Sequence, residues 1–472
     1  MRERLLLLTA ALLAFGASLG SGFHFDDYAI FADPALASPA GWLGIWTLRQ
    51  TRPLTYLTFW FNVQTSGQSP VGYHALNLAL HLGAVLLAFE CLRRLLPERA
   101  ALAAAAIFAV HPLQAESVDY VWGRSIVLAS LLCLCALLAW LRGARWQAVA
   151  WFALALLAKE EVAAFPLVLL LLHAKERRAR LPIVAMCALS LAAGIRVIWA
   201  VAVTPGAPAG LNAGISPWHY FVAQGTVIWR YLRLLAVPWG FTVDPEIAVP
   251  PAWLGLAAWL ALAALVALTW KRKAGPWILV GLLLLLPSSS LFPAADLAAD
   301  RRMYLPLLAF AAAFCSTMVG RLKPALPAIV LALAAVSFAR TQVWMSDESL
   351  WREAVERAPG KVRPKIHLAR DVPAAEGLQL LEAARVLAPE DPRVATETGK
   401  ILLAQGQAAA ALGQFGRALA LNPRDAANYN NRGAALAALG QTDAARQDFQ
   451  RALQLDPSLV SARQNFQALQ AR

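Results

Sequence analysis

The segment RERLLLLTAALLAFGASLG, residues 2–20, runs into FHFDDY, residues 23–28. The first is a basic start followed by an apolar run, which is a membrane-spanning pattern. The second puts two adjacent carboxylates, Asp26 and Asp27, where the chain leaves the membrane, among Phe23, His24, Phe25 and Tyr28. Rings of this kind settle at the headgroup level. A solvated loop is the plain reading of two acids at a bilayer edge. Paired acids fixed beside a lipid surface also suit a general base acting on a lipid-linked substrate. Arg2 and Arg4 before an apolar run imitate a signal peptide, but many apolar runs follow, so an uncleaved first helix is expected.

Composition agrees with a polytopic membrane protein. The 472 residues are 59% hydrophobic and 15% charged, whereas a soluble domain carries about a quarter charged residues. The net charge of +13 is unevenly spread. Residues 1–345 hold 26 basic and 15 acidic side chains, and residues 346–472 hold 16 and 14. The excess lies in the membrane part, where it reports topology rather than nucleic-acid binding. The five cysteines all lie in or beside apolar runs, so no disulfide framework is implied. Cys133 and Cys135 point in different directions on a helix, and no metal site is expected there.

Working outward, a loop from about 22 to 73 contains Trp42, Trp46, Tyr56, Phe59, Trp60 and Phe61, with Arg49 and Arg52. Residues 41–62 read as interfacial helices. Further apolar runs lie near 75–96, 100–115, 124–141, 146–158, 162–174, 181–203, 219–238, 252–270, 275–293, 303–319 and 324–343. The basic clusters are Arg2/Arg4, Arg93/Arg94/Arg99, Arg142/Arg145, Lys175/Arg177/Arg178/Arg180, Lys271/Arg272/Lys273 and Arg321/Lys323. The positive-inside rule places them all in the cytoplasm if every run crosses except 219–238. That run, with Arg230, Arg233 and flanking tryptophans, reads as an interfacial helix. The expected fold is all-α, with about eleven spans and the C-terminus outside. Asp26, Asp27, Glu116, Asp119, Glu160, Glu161, Asp244, Asp296 and Asp300 then share the outer face.

Residues 1–345 form the expected transmembrane domain, and residues 346–472 a soluble helical one. In the latter, Ala-Pro at 388–389, Asn-Pro at 422–423 and Asp-Pro at 456–457 recur every 34 residues, the tetratricopeptide (TPR) period. Gly399, Ala411, Phe415 and Ala418 recur as Gly433, Ala445, Phe449 and Ala452. Small residues let two helices approach and the Phe fills the gap. The preceding unit is degenerate, with Pro364 and Pro373 interrupting it, and 458–470 reads as a capping helix. Such an array binds peptide or serves only for docking and stability.

Three outer loops carry candidate chemistry. His111-Pro112 leads to Glu116, Asp119 and Gly123-Arg124. Lys159-Glu160-Glu161 sits between two short apolar runs, where a Lys anchors a helix or contacts a phosphate. Asp300-Arg301-Arg302-Met303-Tyr304 puts two arginines outside, against the usual charge bias. Holding a lipid phosphate explains them, and so does pairing with Asp296 and Asp300. His74, Asn77 and His81 share one helical face, where a helix-packing hydrogen bond is the simpler account of Asn77. Arg196, inside an apolar run, is expected to face a cavity.

The motifs stand in a recognisable order: Arg52-Pro53-Leu54-Thr55; Gly72-Tyr73-His74-Ala75-Leu76-Asn77 with His81; Ala109-Val110-His111-Pro112 to Glu116 with Gly123-Arg124; Lys159-Glu160; Tyr231-Leu232-Arg233 with Pro238; and Arg301 to Tyr304 with Pro306. With Asp26-Asp27 and terminal TPR units, the chain resembles the transmembrane-and-TPR protein O-mannosyltransferases and their bacterial relatives over nearly its whole length. The resemblance implies a GT-C glycosyltransferase fold and an inverting enzyme that uses a polyprenyl-phosphate sugar at the outer face. Asp26 or Asp27 would be the base, with Glu116 the acid of the second loop. Lys159, Arg233 and Arg301 or Arg302 would hold the departing phosphate. Arg52, His74, His111, Asp119 and Arg124 would position acceptor or donor.

The acceptor would be protein Ser/Thr, with the TPR units available to dock it. The chain has fewer of these units than the long animal members, so a lipid or glycan acceptor stays open. So does a non-catalytic TPR adaptor or lipid-sugar transporter, for which the outer acids would be dispensable. No cofactor is required, although clustered acids are able to bind a divalent cation. The compact Ala/Leu/Arg-rich composition suggests a bacterial inner membrane.

Overall fold

Proline opens many of the helices, and it belongs there because the first turn has no use for its missing N–H. Pro53, Pro70, Pro217, Pro276 and Pro392 all occupy this position. The computed structural model describes residues 1–173, 176–204, 210, 213–321 and 324–470. Lys175 and Lys323 of the basic clusters lie outside the described residues. The fold is all-helical, with no β-strand among the described residues. The chain divides into two compact units, Met1–Val243 with Ile247–Ser346, and Asp347–Arg472 with Asp244–Glu246.

The first unit is built around helix Arg124–Leu141, which is buried on nearly every side. It packs against helices Pro70–Leu95 and Arg145–Ala158. Ala129, Cys133 and Ala136 are wholly buried along it, small enough to let neighbouring helices close in. Helix Pro70–Leu95 ends on Arg93 and Arg94, which complement its dipole. The outer helices are the inverse. Arg177–Val203 exposes Leu181, Leu191, Ile195 and Ile198, and Ala252–Thr269 exposes Trp253, Leu260 and Leu268. Apolar side chains facing outward along whole helices fit a bilayer as the surrounding solvent.

Among the described residues, six helices are long and apolar enough to cross a membrane, or seven if the bent pair Glu98–Val110 and Pro112–Val118 is one span. This is fewer than the apolar runs in the sequence, and the reason is local. Pro112 bars the helical conformation at His111, and the chain turns by 51° there. The runs at 146–158 and 275–293 form helices Arg145–Ala158 and Gly275–Leu285, of 14 and 11 residues. The run at 219–238 forms the amphipathic helix Pro217–Ala236, which buries Tyr220, Gln224, Ile228 and Tyr231 along one face. It meets Ala252–Thr269 at a glycine contact. A Cβ on Gly255 would lie 2.4 Å from the Val222 carbonyl oxygen, and one on Gly225 would lie 2.6 Å from that of Gly255. Of residues 41–62, Gly41–Leu43 forms one tight turn, and helix Pro53–Ser66 begins at Pro53.

The second unit pairs Pro392–Ala404 with Ala408–Leu421, and Ala426–Ala438 with Thr442–Leu455. Asp391 and Asp425 cap the first helix of each pair. The repeat logic is steric. A Cβ on Gly399 would lie 2.6 Å from the Phe415 ring, and one on Gly433 would lie 2.7 Å from the Phe449 ring. Val460–Gln470 closes the array, and Pro373 starts helix Ala374–Leu387 rather than breaking one.

Candidate functional site

The FHFDDY turn separates its two acids. Phe25 has φ +20°, the only positive value at a described non-glycine residue, a twist that local contacts must hold in place. Its ring lies 4.6 Å from that of Tyr120. Asp26 is left exposed and Asp27 is wholly buried. Asp27 accepts from the His24 N–H at 3.0 Å and from the Trp122 N–H at 2.8 Å. It therefore staples the loop that follows the first helix to the loop that holds Trp122. Burial lifts its pKa to about 7, against the lowering effect of these hydrogen bonds. The buried Tyr120 hydroxyl feels both Asp27 and Asp26, and burial raises it well above its ordinary value.

Glu116 is held in a short helical turn, Ala115–Val118. Gly123 is required beside that turn, since a Cβ there would lie 2.8 Å from the carbonyl oxygens of both Glu116 and Ser117. The Glu116 carboxylate accepts from the Arg301 N–H at 3.0 Å and pairs with the Arg301 guanidinium. Arg301 also stands 3.7 Å from Asp296. Burial lowers the Arg301 pKa, but Glu116 and Asp296 more than reverse this and keep it cationic. Arg302 donates to the carbonyls of Leu297 and Asp296 at 3.0 and 2.7 Å.

The third loop joins them. Arg52 grips Glu160 with two donors, at 3.0 and 2.6 Å. Lys159 is 3.0 Å from Glu161 and nearly sealed. Burial pulls the Lys159 pKa down to about 8, and Glu161 partly offsets this. Glu160 is half-buried, which would raise its pKa, yet Arg52 holds it down at about 2. Arg301 acts electrostatically on both Arg52 and Lys159, so the loops form one charged cluster. Arg49, Arg52, Glu160, Glu161 and Arg302 line a cavity of about 320 Å³. An apolar groove of about 290 Å³ shares Thr51, Glu160 and Val197 with it. The groove runs between helices Arg145–Ala158 and Arg177–Val203, past Leu156, Leu157 and Leu189.

Other expected site residues lie elsewhere in the scaffold. Arg233 is exposed and donates to the Trp239 carbonyl at 3.2 Å. Arg230, one turn earlier, reaches the cluster by pairing with Asp300 at 2.8 Å. Arg124 is fully buried, donating to Asn77, Thr58 and Tyr73. His74 donates to the Gly22 carbonyl at 3.0 Å, just before the acidic turn. His111 accepts from the Leu113 N–H and donates to the Leu235 carbonyl, which fixes its tautomer. Asp119 accepts from the Thr341 hydroxyl at 2.9 Å. These residues do not line the charged cavity, and neither do Asp26, Glu116, Lys159 or Arg301; His74, His111, Asp119 and Arg124 brace the segments around Asp27 and Glu116. Asn77 does the same, donating to the carbonyls of Val118 and Tyr120. Arg196 lines the apolar groove and donates to the carbonyls of Thr47, Leu48 and Gln50.

Sequence reasoning assigned Tyr120 no role and named Tyr231 only within the Tyr231-Leu232-Arg233 motif. The Tyr231 hydroxyl accepts from the Ala299 N–H at 2.9 Å and donates to the same residue's carbonyl at 3.0 Å. It thereby fixes the backbone before Arg301, and its place beside Arg230 in the amphipathic helix was the available signal. No group of three or more His, Cys, Asp or Glu among the described residues is placed to hold a metal ion.

The chain is similar to known proteins. The tetratricopeptide repeat family model matches residues 426–459. Protein O-mannosyl-transferase TMTC1 of Homo sapiens is 36% identical over 155 residues, 29% of this chain and 18% of that protein. Protein O-mannosyl-transferase F38B6.6 of Caenorhabditis elegans is 24% identical over 410 residues, 78% of this chain and 59% of its own length. The chain thus spans less than two thirds of either relative. These homologues bear out the family resemblance read from the motifs. Among solved structures, MamA is similar at 19% identity over 26% of this chain and 75% of its own, with a TM-score of 0.24.

Proposed function

We propose that this protein transfers a mannosyl group from a polyprenyl phosphate to a protein hydroxyl, at the outer face of a bacterial cytoplasmic membrane. The observation that carries the reading is a charged cavity continuous with an apolar groove between two helices. That pairing suits an amphiphile with a phosphate head and a long apolar tail. The names of the curated homologues support the sugar and the class of acceptor.

In this reading Asp26 is the base, because it is exposed while Asp27 is committed to two backbone N–H groups. Asp26 takes the proton of the acceptor hydroxyl, whose oxygen attacks the anomeric carbon from the face opposite the phosphate. The carbon–oxygen bond to phosphate breaks with inversion, and the electron pair leaves on the phosphate oxygen. Arg52, Lys159 and Arg302 balance that growing charge. Arg52 has donors beyond the two that it gives to Glu160. A single phosphate leaving group is neutralised by such cations without a metal. Glu116, locked to Arg301, sets the second loop against the Asp300–Met303 segment. The TPR unit docks the acceptor protein.

The test is sugar transfer by the purified chain from labelled polyprenyl-phosphate mannose, with the labelled product identified. Asp26→Asn should lose roughly 10²–10⁴-fold in turnover, the scale of a positioned base, with melting unchanged. Donor saturation should weaken above about pH 8, as Lys159 loses its charge. Full transfer by Asp26→Asn removes the assignment of the base. Label in a glycan or lipid overturns the protein acceptor.

A further inference from the structure

A second cavity, of about 210 Å³, lies apart from the charged cavity and shares no lining residue with it. Its wall is almost entirely apolar. Phe165 and Leu305 line it, as do Leu95, Leu172 and Trp277. Leu95 and Leu172 lie at the ends of their helices away from the outer loops, and Trp277 in the first turn of Gly275–Leu285. The slot exists because that helix is only 11 residues long, too short to cover the long helices behind it. A dry apolar slot of this kind takes an apolar occupant rather than water.

Charge says what caps it. Beside the lining residues Leu92 and Leu95 stand Arg93 and Arg94, which share Glu90 with Arg4. Arg94 and Arg142 are close enough to act electrostatically on Cys91, another lining residue. Lys271, Arg272 and Lys273 are exposed, form no ion pair among the described residues and lead into the lining residues Pro276 and Trp277. At the other end of the unit Arg52 is balanced by Glu160, Lys159 by Glu161, Arg230 by Asp300 and Arg301 by Glu116, while Arg302 and Arg233 bond to backbone carbonyls. Three adjacent exposed cations with no paired acid among the described residues therefore stand at this mouth. We infer that the slot holds one acyl chain of an anionic phospholipid whose phosphate sits among Lys271, Arg272, Lys273 and Arg142. Basic side chains between helices at the cytoplasmic surface attract such headgroups.

The experiment uses the full chain in phosphatidylcholine nanodiscs. Either phosphatidylglycerol or phosphatidylcholine with brominated acyl chains is added at equal mole fraction. Bromine quenches nearby indoles, and subtracting the Trp277→Phe protein isolates the Trp277 signal. Phosphatidylglycerol should quench it at lower mole fraction than phosphatidylcholine. Arg272→Gln, on an exposed turn, should lower that preference about fivefold, and Lys271→Gln should do the same. Ala309→Leu, which narrows the slot, should remove the quenching; the two surface variants keep the test decisive if it fails to fold. Equal quenching by both lipids in the unaltered protein would mean ordinary surrounding lipid and overturn the inference. Displacement of the brominated phosphatidylglycerol by polyprenyl phosphate would overturn it too, assigning the slot to a prenyl chain.

Discussion

Two kinds of charge pair can be compared across the two units. In the repeat unit, Arg446 pairs with Asp443 and Arg352 with Glu348, three and four residues apart on exposed helix faces. In the membrane unit, Glu116 pairs with Arg301 and Arg52 with Glu160, 185 and 108 residues apart. Pairs of the first kind decorate a helix that packing has already formed. Pairs of the second kind tie separate loops into one cluster, and each partner left alone would be a charge at least partly shielded from water. The difference marks where the protein depends on electrostatics and where it depends on shape.

Breaking the membrane pair should therefore have the largest effect. Glu116→Gln leaves Arg301 without its main counter-charge, and a loss of about 3–5 kcal/mol is expected. Glu116→Leu with Arg301→Met should recover most of the stability but no sugar transfer. Thermal unfolding in detergent reads the first and a transfer assay the second. A double variant as unstable as the single one would show that the pair does more than neutralise charge.

Next in size are two glycine contacts, each expected to cost about 1–3 kcal/mol on gaining a methyl group. In the repeat unit Gly433→Ala meets the Phe449 ring, a side chain that can be trimmed. Phe449→Leu should rescue it in part. In the membrane unit Gly123→Ala meets two backbone carbonyls, so no single side-chain change should rescue it. Equal rescue in both units would erase the contrast.

Asp27 gives a smaller effect with a distinct pH signature. Its folded pKa is raised to about 7 from 3.8, so between those values the folded state binds more proton than the unfolded state does. Stability should therefore fall as pH rises from about 4 to about 7. Asp27→Asn should flatten that slope, at a cost of about 1 kcal/mol for one backbone hydrogen bond lost. Melting temperatures across this range read it, and an unchanged slope would assign the titration to another group. Smallest of all, Arg446→Ala should leave the melting temperature within error, as surface pairs of this kind usually do. A clear drop would mean that the repeat unit also relies on its charges.

Much was legible beforehand because it is local. Apolar runs mark helices in any context, and the 34-residue recurrence of Pro, Gly and Phe marks the repeats. The charged cluster was legible in its residue types, since Glu116, Lys159 and Arg301 lie in loops beside apolar runs. Its wiring was not. Arg230 rather than Arg233 reaches the cluster because the phase of an amphipathic helix depends on what it packs against.

The chain order alone determined that this is a helical membrane protein ending in TPR units, because hydrophobic periodicity and repeat spacing act within a few turns. Only the tertiary structure decided which acid is exposed. Asp26 and Asp27 are adjacent and chemically identical, and the twist at Phe25 together with the Trp122 N–H, 95 residues away, separates them. A distinction made by a partner that far along the chain has no signature in either residue's neighbourhood.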